Sequence, residues 1–342
     1  MTALVYGEAD LLAEHRYARP QIEAGYRLHG GFDEAGAYLS PRTLTRWPAV
    51  KAWQAALVAR GFPLIDASTK LLRRGNYPSF EQQQLLLDLG LGQTLWNSLT
   101  ITGVIEARGR RLVEFAAPDF QTIVEDDIAG TATGHLGRGL MKAHGLDEGG
   151  SPEKGEGGHD TMWFAVRDLL FGKDAYPLPA VPESLARPEL GRLMPQIPLP
   201  FEQTILLLMN VLMIEIRAEA FFAFCTRLMR ATELFTDRRD AAEQAAVLVE
   251  RIRQDEAIHV AYLQTAVSEL RSFRFRAEAG GSLPGKAFID PIWNGMVQWH
   301  SVTTPDHARA QTREAIAAQL MEAADGAKRL AAFDALEQRE AA

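Results

Sequence analysis

The sequence predicts an all-α protein, and three observations carry that reading. Residues 201–231 and 241–273 run without a glycine or proline. In the second stretch Val249, Ile252, Leu263, Val267 and Leu270 fall on one stripe at helical spacing. No series of segments alternates apolar and polar residues as half-buried strands do. With 342 residues and 47% hydrophobic content the chain is long enough for a large core.

Taken in order, residues 1–80 read as helical but irregular, broken by Pro20, Gly30-Gly31, Pro41, Pro48, Pro63 and Pro78. Residues 79–116 read as one long helix, with Ser79 as N-cap and Gln82 three residues on. Pro118 and Asp119 open a second helix, expected to reach residue 143. GLDEGGSPEKGEGGHD, residues 145–160, is glycine-rich and polar and reads as a mobile loop. TMWFAVRDLLFG is a short amphipathic helix, and the seven prolines of YPLPAVPESLARPELGRLMPQIPLP exclude a regular helix after it. Residues 145–200 are therefore an insertion. LFTDRRD turns the chain between the two long helices. Beyond them lie AGGSLPG, the aromatic segment IDPIWNGMVQWH, and a last helix opened by Thr304-Pro305-Asp306. The expectation is a single helical domain over 1–342, with core helices at about 79–116, 118–143, 201–231 and 241–273 and further helices at both ends.

A net charge of −8 and a pI near 5.6 argue against a nucleic-acid partner. The single cysteine, Cys225, allows no disulfide and no cysteine zinc site within the chain. The first twenty residues hold no apolar run of signal length. The longest apolar run, Ile205–Ile214, contains Asn210 and is short for a membrane span. The reading is a cytoplasmic protein with no membrane partner.

Polar residues on apolar stripes point to chemistry. On a wheel at about 100° per residue, Glu256 lies in the middle of the stripe named above and His259 about 60° to one side. Arg251, Arg253, Gln254, Gln264, Thr265 and Glu269 take the other half. A buried carboxylate and imidazole are costly unless they pair or bind a metal. In the preceding helix, Arg217 placed outward turns Glu215 and Glu219 inward. If the two helices form an antiparallel hairpin, Glu219 stands level with Glu256, and Glu215 with His259, because the pairs centre on 237.5 and 237, both in the turn. Glu215 has the drier neighbours, so it is the expected ligand, with Glu219 in support. In the first half Glu106 and Glu125 lie on apolar faces and centre on the break at 116–118. Ile128 stands where a Glu-x-x-His pair starting at Glu125 would place histidine. His135, about 15 Å further along a straight helix, joins only if the glycines of TATGHLGRG distort the helix.

The pattern Glu106 … Glu125 … Glu215/Glu219 … Glu256-x-x-His259 resembles the ferritin-like di-iron carboxylate superfamily, over roughly residues 80–145 and 201–273. The resemblance implies a ferritin-like helical bundle holding two irons, with manganese as the alternative. It implies oxygen activation or metal storage, and a small-molecule substrate with O2 for the oxidising members. It leaves room for an electron donor and a homodimer. An apolar substrate pocket would draw on Met213, Phe221, Phe222, Phe224 and Trp96, residues that serve equally as core packing. Two other classes compete. His135, His159, Asp160 and Asp255 resemble the His … His-Asp … Asp pattern of all-α metal phosphohydrolases, in which the metal activates water. A metal-free helical binding protein is the third. On the oxidase reading His159 sits in the glycine-rich loop and its loss leaves the metal bound.

Overall fold

The computed structural model describes residues 4–340, and these are mostly helical. In chain order the helices are α1 Glu8–Leu12, α2 Arg46–Ala59, α3 Phe80–Asp88, α4 Gln93–Gly109, α5 Ala132–His135 and α6 Leu140–Gly149. They continue with α7 His159–Phe171, α8 Leu199–Arg230, α9 Arg239–Ser272, α10 Lys286–Gln298, α11 Thr304–Met321 and α12 Gly326–Glu340. Two small antiparallel ladders, β1 Gln21–Glu23 with β2 Tyr26–Leu28 and β3 Arg274–Arg276 with β4 Ser282–Pro284, and short 3-10 and π-helical turns accompany them. No described helix is long and apolar enough to cross a membrane.

Ser79 caps α3 reciprocally. Its hydroxyl accepts from Gln82 N at 3.3 Å, and the Gln82 side chain accepts from Ser79 N at 3.0 Å. The helix expected over 79–116 stops early. Gly90 takes the left-handed conformation (φ +74°), and its N–H and that of Leu91 turn back to Leu87 and Leu86. That is the glycine C-cap pattern, and the chain restarts as α4.

The helix expected over 118–143 does not form. Residues 118–131 are irregular apart from a single 3-10 turn at Phe120–Thr122. Only the short α5 follows, and then Gly139 (φ +118°) opens α6. The insertion expected over 145–200 needs the same correction. Its first residues belong to α6, and its short helix begins at His159 rather than after it. The glycine-rich turn between α6 and α7 is packed rather than loose. A Cβ at Gly158 would come within 2.4 Å of Asp147 O and 2.6 Å of Glu148 O. Glycine here lets the turn lie against the backbone of α6.

α8 and α9 run antiparallel and pack along their length. α7 lies against both α9 and α4, and α6 crosses α4, α7 and α9. The buried apolar residues form two large clusters. One is built on Leu208, Leu212, Tyr262 and Leu263, the other on Trp163, Phe222, Val249 and Ile252. α9 is buried on more of its circumference than its pattern suggested. Arg251, placed on the solvent half by the wheel, is 2% exposed. Its guanidinium donates to His29 O at 3.0 Å and lies over the rings of Phe32 and Tyr38. The segment 26–38 covers this face.

Candidate metal centre

Five helices bring polar side chains to one buried point. α4 supplies Glu106, α6 supplies His144 and Glu148, α7 supplies His159, α8 supplies Glu215, and α9 supplies Glu256 and His259. They form two groups whose candidate donor atoms lie within 4.8 Å of one another: His144, Glu148, Glu215 and His259, and Glu106, Glu148, His159 and Glu256. Glu148 belongs to both.

Glu148 Oε1 is the focus. It lies 3.2 Å from His144 Nε2, 3.6 Å from His159 Nδ1 and 3.3 Å from His259 Nδ1. His144 Nε2 is also 3.2 Å from Glu215 Oε1, and His159 Nδ1 is 2.9 Å from Glu256 Oε1. His259 Nδ1 meets Glu256 Oε2 at 2.6 Å, one turn away on α9. The rings of His144 and His259 stack at 3.8 Å. Glu148 Oε1, Glu256 Oε1 and His159 Nδ1 are buried with no well-formed hydrogen bond. Buried polar atoms left without partners and aimed at one point are the donor set of a cation site.

Each histidine is oriented from behind by its other nitrogen. His159 Nε2 faces Asp255 Oδ2 at 3.2 Å, and Asp255 also accepts from Tyr38 Oη at 2.8 Å. His259 Nε2 faces Asp147 Oδ2 at 3.1 Å, and Asp147 is clamped by Arg42 and Arg46. His144 Nδ1 faces Tyr262 Oη at 2.8 Å. A carboxylate behind an imidazole fixes the N–H on the far nitrogen and leaves the near lone pair for a metal.

Without a metal, the same carboxylates hold protons on the imidazoles that a cation would displace. Burial opposes charge on His159 and His259, but Glu256 leads the carboxylates that raise both well above the usual imidazole range. Burial likewise opposes the charge on Asp147, yet Arg46 and Arg42 hold it well below the usual carboxylate range. Burial and then Glu148 push Glu106 far up, so this carboxyl holds a proton toward Glu148. Burial and then the charge of Glu256 raise Glu215 to about 8. Four carboxylates at one buried point repel one another. Two divalent cations would neutralise them with all three imidazoles uncharged. Nitrogen and carboxylate oxygen donors suit iron, manganese or zinc. The structure therefore contains buried His/Glu clusters able to bind metal ions.

No protein-family model matches this sequence, and no curated protein or solved structure matches it.

Of the residues singled out in the sequence, the structure brings Glu106, Glu215, Glu256 and His259 together. Three others lie elsewhere. Glu125 is exposed and faces Arg274 at 3.5 Å, because residues 118–131 turn instead of forming a helix. His135 is buried with both nitrogens engaged, Nδ1 on Thr131 O at 2.7 Å and Nε2 accepting from Tyr6 N at 2.9 Å. Its ring packs on Trp53 at 4.7 Å. Glu219 forms a partly exposed ion pair with Arg253. Arg217, placed outward by the wheel, instead lines a cavity. His159, read as a mobile loop residue, is fully buried in the cluster. Of the phosphohydrolase pattern, His159 and Asp255 meet, joined by His29 in a third group, while Asp160 Oδ1 accepts from the N–H groups of Gly158 and Thr161.

Sequence reasoning missed His144 and Glu148. The available signal was their i, i+4 spacing, which puts both on one helix face. A second signal was the Asp-Glu dipeptide shared by 147–148 and 255–256, which also occurs at 33–34.

Proposed function

We propose that this chain is a non-haem dinuclear metal oxidase or oxygenase of the ferritin-like kind, with iron as the metal and manganese as the alternative. The observation that carries the reading is Glu148, shared by two buried four-residue groups. A carboxylate reached from both sides is the natural bridge between two cations. His144, Glu215 and His259 would hold one ion, and Glu106, His159 and Glu256 the other. Two irons bound there would supply electrons and an open coordination position for O2.

The chain's own residues do the rest. Asp147, Asp255 and Tyr262 keep the imidazoles in the ligating tautomer. Arg42 and Arg46 hold the negative charge of Asp147 inside the protein. A cavity of about 630 Å³ reaches Glu106 and is walled by Ile101, Ile105, Ile214, Phe221 and Phe222. That volume lies within the range of small-molecule sites, about 300–1,000 Å³. These walls give the Glu106 side of the cluster an apolar border. Of the aromatic residues considered from the sequence, Phe221 and Phe222 line this space. A small organic substrate fits it, with an external electron donor.

The deciding experiment is metal analysis of protein purified from iron-supplemented cells, followed by O2 uptake on addition of dithionite or ascorbate. About two ions per chain and reductant-dependent O2 consumption are expected. Protein that takes up neither iron nor manganese when both are supplied would sink the reading.

A further inference from the structure

The cavity beside the metal cluster contains a cation with no anionic partner. Arg217 lines it from α8, and among the described residues no carboxylate lies within ion-pair distance of its guanidinium. The other arginines of the lining differ. Arg74 pairs with Asp306, Arg309 with Glu337, and Arg73 is exposed and bonded to Gln298. Burial alone depresses Arg217, as expected for a guanidinium removed from water without compensation.

The surroundings position this charge without neutralising it. Arg217 Nη1 is 3.5 Å from His300 Nδ1. Asn210 Nδ2 donates to Leu206 O, and Asn210 Oδ1 accepts from Arg187 N. The amide is therefore fixed with its oxygen toward His300 Nε2, 3.2 Å away, so Nε2 carries the proton and donates. The Nδ1 lone pair then faces Arg217. His300 stays neutral, since burial and then Arg217 lower it to about 3. A π-helical turn, Trp299–Thr303, carries His300 and Ser301 to the cavity wall. Such turns are uncommon and occur often at functional sites. Two hydroxyls in the same lining, Ser301 Oγ and Tyr77 Oη, are buried with no hydrogen-bond partner. One unpaired cation and two unpaired donors border an apolar space that also reaches Glu106.

We propose that the cavity binds an organic monocarboxylic acid, with Arg217 holding the carboxylate, Ser301 donating to it, and the apolar body lying along Ile101, Ile105, Ile214 and Phe221 toward Glu106. This names the substrate class of the proposed oxidase and rests on that reading for the reaction, although the binding itself does not require metal. A carboxylate completes the charge of Arg217 and gives Ser301, next to His300 on the π-helical turn, an acceptor. A neutral amide or alcohol of the same shape leaves the cation unpaired.

The test is calorimetric binding of octanoate and 4-phenylbutyrate, each against its primary amide, to the full chain with and without added iron. At least one acid should bind about tenfold or more tightly than its amide. Arg217→Leu should abolish that preference and Arg217→Lys should retain part of it, with metal content and helical circular dichroism unchanged in both. Equal binding of acid and amide, an undiminished preference in Arg217→Leu, or no binding of either acid overturns the proposal. The acid–amide comparison on the unmodified chain needs no variant, so a misfolded variant does not blunt it. Acid selectivity in protein that takes up no metal would leave this inference standing and remove the oxidase reading. Two bound metals without acid selectivity would do the reverse.

Discussion

The α8–α9 hairpin and the segment from Pro118 to His159 contribute to the same cluster by opposite means. The hairpin places Glu215, Glu256 and His259 on two long, regular helices, where fixed periodicity sets direction and height. The earlier segment places His144, Glu148 and His159 on two short helices joined by a glycine turn packed against α6. In the first region a ligand's position follows from counting residues. In the second it follows from where the turn allows the chain to close. Regularity makes a site readable, and irregular backbone can hold a site just as firmly once tertiary packing defines it.

The comparison breaks most severely at Glu148. Glu148→Ala removes the carboxylate common to both groups, so both ions should be lost, whereas Glu215→Ala should spare part of the metal. Metal analysis of the two variants decides; a Glu148→Ala protein that keeps two ions would dissolve the shared site. His159→Ala comes next and reverses the expectation drawn from the glycine-rich sequence. It should lower metal occupancy sharply. His135→Ala should leave occupancy intact and cost about 0.5–3 kcal/mol of stability from lost packing on Trp53 and the lost bond to Thr131.

A titration sharpens the same point. Metal binds deprotonated ligands, and in the apoprotein Glu215 and Glu106 hold protons because burial raises them. Uptake must therefore expel protons, and the raised imidazoles of His144, His159 and His259 add theirs, so apparent affinity rises with pH through the range near 8 in which Glu215 ionises. Metal titration in weakly buffered solution should show acid release; proton-neutral binding at pH 6 would contradict it.

Smaller effects separate structure from ligation. Gly158→Ala drives a Cβ against Asp147 O and should cost about 1–3 kcal/mol, with a fall in metal affinity because the turn is pushed off α6. Chemical denaturation beside metal titration would measure both. The smallest change is expected for Glu219→Gln. Its pair with Arg253 is partly exposed, so less than about 1 kcal/mol and no loss of metal should follow.

The all-α class was legible because α8 and α9 each carry more than thirty residues of uninterrupted helical pattern. The direction of Glu215, Glu256 and His259 was legible for the same reason. Glu219 was not separable from Glu215, since one helical turn leaves both near the same face and only Arg253 on α9 decides between them. Arg217 was misread because the outer side of α8 faces a cavity rather than solvent. Arg251 was misread because a segment two hundred residues earlier covers it. Glu148 and the adjoining His144 were missed, and His159 was placed only in the competing phosphohydrolase pattern, for a further reason. Glycine and charge in GLDEGGSPEKGEGGHD resemble a solvated loop, and nothing local reveals that its backbone packs against α6.

The Asp-Glu dipeptides at 147–148 and 255–256 act crosswise. In each, the glutamate enters the cluster while the aspartate braces an imidazole on another helix: Asp147 on α6 braces His259 on α9, and Asp255 on α9 braces His159 on α7. Asp255 and Glu256 serve the same half, so the link between the halves is Glu148, which an ion in either half orders for the other. The ordering entropy falls mainly on the first ion, and the second meets ligands already set. Loading should thus be positively cooperative, with singly occupied protein scarce at every metal concentration, and the pair of ions should leave together when a chelator withdraws them.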